Sequence, residues 1–135
     1  MAVWQADFSV RVNRPLPDGY DTSLDSIAPR SHQLWPGNAT WGSQDGNRLD
    51  LHLEDGQPTE GLLRLDLRAW DPVFVEGMLG LLLRWGTTLV GPQGQTVEPV
   101  LGEVALAVRG SPAFRFVESP EHFLRRLRFG GLEDA

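Results

Sequence analysis

The residue types whose spacing first suggests chemistry lie between residues 45 and 68. Asp50, His52 and Glu54 stand at alternate positions in NRLDLHLED, and Asp66 and Arg68 repeat the spacing in LLRLDLR; Asp45 and Asn47 precede them. A carboxylate beside a histidine can tune it as a general base. Two carboxylates and a histidine can hold a divalent cation. His52, Asp50 and Asp66 are therefore the candidate catalytic set. A second account explains the same residues. Leu49, Leu51 and Leu53 alternate with the first charged set, and Leu63, Leu65 and Leu67 with the second. That is the pattern of two antiparallel strands with one leucine face and one charged face. Setting Asp50 opposite Arg68 puts His52 opposite Asp66 and Glu54 opposite Arg64. Every pair is then complementary, each contributing about 0.2–1 kcal/mol. This register is expected, and the charge ladder is preferred to a catalytic set.

Other chemistries lack their residues. The chain has no cysteine, which removes thiolate nucleophiles, disulfides and cysteine-bound metals. It has no lysine, all twelve basic residues being arginine, so Schiff-base chemistry and a P-loop lysine are excluded. GPQGQT at 91–96 reads as a hairpin turn rather than a phosphate loop. No G-x-S-x-G elbow surrounds a serine. Asp45 does not begin a calcium loop, because its glycine follows at once and the oxygen ligands do not recur. No metal and no cofactor is expected. The net charge of −6 argues against nucleic acid, which needs a basic patch. The arginines at 125, 126 and 128 read as a solvated helix face whose charge suits a helix C-terminus. No apolar run is long enough to span a bilayer, and the first residues lack the pattern of a secretory signal. A cytoplasmic location follows as the expectation, and the all-arginine composition with a single isoleucine suggests a bacterial source. The NAT at 38–40 matches a glycosylation acceptor, which means little without such a signal.

The elements that must position these residues are short and well punctuated by 15 glycines and 10 prolines. The length of 135 residues suits one domain spanning 1–135. Residues 3–12 alternate as a half-buried strand, with Ala6, Phe8 and Val10 on one side and Asp7, Ser9 and Arg11 on the other. Residues 13–38 form a long Pro-rich loop whose Tyr20, Leu24, Ile27, Leu34 and Trp35 should pack across the surface. Asp71 caps a mostly buried helix that begins at Pro72 and stops near Gly86. Its Gly77 and Gly80 should mark close approach to another element. A short hairpin follows at 87–98. Residues 99–110 fit helix or buried strand, with helix favoured by the proline-first, glycine-last pattern. A last helix is expected from Ser119 to Gly130. The predicted fold is α+β: an antiparallel sheet of about four to six strands with two or three helices packed on one face.

The motif WGxxDGNRxD at 41–50, RxDxR at 64–68, and Ser111, Ala113, Phe116, Val117, Pro120, Phe123 and Leu124 further on resemble small bacterial proteins of uncharacterised function. The resemblance spans most of 41–127 and implies no activity and no catalytic residues.

The functional expectation is a non-enzymatic, acidic interaction or accessory protein, of an immunity-like kind. It would bind a protein partner through the 41–68 hairpin and the 13–38 loop, using Trp35, Trp41, Asp45, Asn47, Asp50 and Arg68. Aromatics and arginines are the common anchors of such interfaces. Homodimerisation is compatible with this reading. The alternative is a small hydrolase or metal-dependent enzyme using Asp50, His52 and Asp66, which requires those groups to converge in a concave pocket.

Overall fold

Period-two alternation builds the centre of the molecule. The computed structural model describes residues 4–31, 37–43 and 46–115. Strand β1 (Gln5–Arg11) turns Ala6, Phe8 and Val10 inward, each no more than 1% exposed. The short helix α1 (Tyr20–Asp25) follows, then β2 (Asn38–Gly42), β3 (Arg48–Glu54) and β4 (Gln57–Asp66). Helix α2 (Pro72–Arg84), strands β5 (Thr88–Val90) and β6 (Thr96–Val97), and helices α3 (Leu101–Arg109) and α4 (Pro112–Arg115) complete the described part. The six strands pair antiparallel throughout, in the order β2-β3-β4-β1-β5-β6. Helices cover one face, giving the α+β arrangement that the strand-then-helix order predicts. The 99–110 stretch holds a helix, Leu101–Arg109, as the proline and glycine punctuation favours. The helix expected at 119–130 lies outside the described residues.

The core lies between the sheet and the helix layer. Leu49, Leu51, Leu63, Leu65 and Leu89 come from the strands, and Phe74, Val75, Met78, Leu82, Val104 and Val108 from the helices. Helix α2 starts where its sequence directs: the Asp71 carboxylate accepts the Phe74 amide at 3.2 Å, with proline in the first turn. Its C-terminal end is closed from a distant segment. Arg14 donates from Nε to the Trp85 carbonyl and from Nη2 to that of Arg84, and Asn13 donates to that of Gly86. A cation there satisfies orphan carbonyls and opposes the helix dipole.

The 13–38 segment contains a helix that its prolines and turn residues did not announce. Leu24 of α1 is fully buried, and Tyr20 meets Trp85 edge-on at 6.5 Å between centroids. A Cβ on Gly77 would meet the Ile27 side chain at 3.0 Å, so α1 and its C-terminal extension press directly on α2. Gly77 is the close approach expected from sequence. Gly80 is not: a Cβ there would meet nothing within 4 Å.

The hairpin register differs from the complementary one. Asp50 pairs with Leu62, His52 with Glu60 and Arg48 with Arg64, with an irregularity between His52 and Leu53. The turn decides this. Asp55 and Gly56 form a two-residue connection with φ of 53° and 77°, so Glu54 sits opposite Gln57. Positive φ at both positions is the geometry of the tight hairpin turn that matches strand twist, and turn length fixes register. Cross-strand charge pairs of a few tenths of a kcal/mol cannot override it.

Candidate functional site: the open face of the sheet

The side chains pointing away from the helices form a mostly polar face, with Leu62 and Val90 beside Ser9 at its middle. Its middle is tied by ion pairs between neighbouring residues. Arg64 of β4 meets Asp7 of β1 through Nε at 2.8 Å and Nη2 at 2.9 Å, a two-pronged pair between half-buried groups. The Asp7 hydrogen bonds hold the Arg64 guanidinium above its ordinary pKa against the opposing effect of burial, with further help from the Asp7 and Asp50 charges. Arg48 meets Asp50 at 3.1 Å, and the Thr40 hydroxyl donates to Asp50 Oδ1 at 2.6 Å. Arg48 and Arg64, like charges directly opposite, are therefore flanked by Asp50 on one side and Asp7 on the other. Sequence alternation places Asp7 on a polar face, but nothing in it announces that β1 will lie beside β4.

The end of this face nearest Asp66 is held from the turn before β3. Asn47 uses both ends of its amide: Oδ1 accepts the Asp66 backbone N–H at 2.8 Å and Nδ2 donates to the Ala69 carbonyl at 3.0 Å. Asp66 is only 4% exposed and accepts from the Arg68 backbone N–H at 2.9 Å and from its guanidinium at 3.3 Å. The guanidinium also lies over the Trp4 ring, 3.8 Å from the centroid.

The candidate catalytic residues are not brought together. Asp50 and His52 are neighbours on one strand face. Asp66 stands four positions along β4 from Leu62, the partner of Asp50, about 13 Å away along the strand. His52 Nδ1 lies 3.0 Å from Asn38 Oδ1, and Nε2 lies 3.8 Å from Glu54. Among the described residues no group of three or more His, Asp or Glu side chains could hold a metal ion.

Of the residues expected to contact a partner, Asp50 and Arg68 lie on the open face, with Asn47 at its end. Trp41 is 1% exposed and faces the core. Its indole Nε1–H donates to Asp25 at 2.8 Å, and Arg30 stacks over its ring at 5.2 Å. Arg30 also pairs with Asp21 and Asp25. Trp41 thus fastens the α1 segment to the sheet from within. Trp35 and Asp45 lie outside the described residues.

One part of the open face is concave. A shallow depression of about 520 Å³ lies at β1 between β4 and β5, lined by Ser9, Arg11, Glu60, Gly61 and Val90 among others. Arg11 and Glu60 occupy opposing positions on β1 and β4. Among the described residues neither side chain has a hydrogen-bond or ionic partner. The outer edge of β2 is covered by residues 29–31: Ser31 N–H donates to the Thr40 carbonyl and Gly42 N–H to that of Pro29.

Among the described residues no helix is long and apolar enough to cross a membrane. No protein-family model, curated protein or solved structure matches this chain.

Proposed function

We propose that the chain is a non-enzymatic protein-binding module that engages its partner through the open face of the sheet. The carrying observation is that face itself: mostly polar side chains on rigid paired strands, uncovered by any described helix, around a depression flanked by Arg11 and Glu60. Arg64, Arg48, Asp7 and Asp50 are held by one another, so a partner meets charges whose positions are already fixed. Preorganisation of this kind reduces the entropy lost on binding. The face carries both signs, so it suits a partner with a matching mixed pattern better than a uniformly basic one. An accessory or immunity-like role in a bacterial cytoplasm belongs to the same proposal, supported by the all-arginine, cysteine-free composition.

The test is affinity capture from host lysate with three baits: wild type, an open-face variant (Ser9→Arg with Arg11→Glu), and a helix-face variant (Val73→Ser with Leu83→Ser). The proposal expects one protein retained by the first and third baits and lost from the second, with circular dichroism unchanged. Equal retention by all three baits, or loss from the helix-face bait alone, would overturn it.

A further inference from the structure

The exposed side of α2 has an organisation that the core does not explain. Val73, Glu76, Gly80 and Leu83 recur at intervals of three and four, so they line one stripe of the helix, with Arg84 beside it. Val73 is 75% exposed and Leu83 48%. On α3, the neighbouring helix, Leu106 is 65% exposed and adds a third apolar side chain to the same layer. Gly80 sits at the centre of the exposed arc. Glycine is the least favourable helix-interior residue after proline, and no described residue comes close enough to require it here. Glycine on an outer helix face permits another backbone to approach closely.

We infer that this stripe is the contact between two copies of the chain, packed antiparallel about a two-fold axis through Gly80. The charges select both the occupant and its direction. Glu76 and Arg84 lie equally far from Gly80 on its two sides, and among the described residues neither side chain has a partner. An antiparallel second copy brings Glu76 of each chain level with Arg84 of the other, twice. A parallel copy aligns Glu76 with Glu76 and Arg84 with Arg84. The stripe thus supplies its own complement, as a two-fold contact requires. Gly80 lets the backbones meet at the axis, and Val73 and Leu83 supply the apolar contact. The surface lies on the opposite layer from the proposed partner face and does not rest on it.

The experiment is sedimentation equilibrium from micromolar to millimolar protein, with folding checked by circular dichroism. Wild type is expected to be a concentration-dependent dimer and Gly80→Trp a monomer. Glu76→Arg and Arg84→Glu should each weaken the dimer at least tenfold, and the double swap should restore it. Because the chain contains no cysteine, Gly80→Cys should oxidise readily to a covalent dimer, two such residues at the axis being within disulfide reach. Ser9→Cys, on the open face, should not. A wild type that stays monomeric at millimolar concentration, a dimer indifferent to Gly80→Trp, or equal cross-linking at both positions would overturn the inference.

Discussion

At the scale of single residues, the informative side chains are those serving two segments at once. Asp25 accepts from Trp41 on β2 and pairs with Arg30, so one carboxylate fixes α1 to the sheet. The Trp41 indole hydrogen bond holds its carboxyl below the usual range, desolvation opposes this, and the Arg30 hydrogen bonds and charge add to it. A depressed folded-state pKa stabilises the fold above the ordinary carboxylate range near about pH 4, and that stability is lost as pH falls through the folded value. Acid titrations of wild type and Asp25→Asn, followed by Trp fluorescence, should therefore differ at neutral pH and converge in strong acid; parallel curves would contradict this. Asn47 predicts a different signature. Asn47→Ala strands the Asp66 backbone N–H and frees the Ala69 carbonyl, and should destabilise by about 1–2 kcal/mol in urea unfolding. The sequence named Asn47 and Asp50 as polar residues of interest but not what they bond to. Those partners, Asp66 N–H and Thr40, come from neighbouring strands, and matching charges across the hairpin did not point to either. Trp41 misled for a related reason: an aromatic beside irregular segments reads as displayed until the segment that buries it is placed.

At the scale of elements, local punctuation was legible and distant pairing was not. The Asp71-Pro72 start of α2, the Pro99 and Gly110 bounds around α3, and the alternation in β1, β3 and β4 all followed from short-range rules. The hairpin register did not follow from charge matching, because the Asp55-Gly56 turn fixed it first. Helix α1 escaped detection because six residues are too few to show a helical period and its flanks are rich in proline. The paired glycines of α2 test this distinction directly. Gly77→Ala must displace the Ile27 side chain, so its gain in helix propensity is offset or reversed. Gly80→Ala meets open space and should stabilise the monomer by about 0.5–1 kcal/mol. Thermal unfolding of both variants in dilute solution checks the order; a Gly80→Ala variant that melts below Gly77→Ala would contradict it.

At the scale of the whole molecule, sheet and helices share one continuous core, so damage anywhere within it should be felt everywhere. Phe8 is fully buried in β1, which is bonded on both sides. Phe8→Ala should lose about 3–5 kcal/mol, a large part of a small domain's total stability. Far-ultraviolet and tryptophan signals should still melt together; separate transitions would mean that the helix layer and sheet unfold independently. The strand order has a further consequence, for the chain as it emerges from the ribosome. β1, the earliest of the six described strands, is an inner one, and its partners at residues 60–66 and 88–90 are synthesised much later. Until β4 emerges, Ala6, Phe8 and Val10 have no sheet to enter, while β2, β3 and β4 can zip together through short connections. Contacts between such distant segments also close slowly. Nascent chains halted before residue 60 should therefore expose an unpaired apolar strand and recruit holding chaperones, and those released after residue 90 should not.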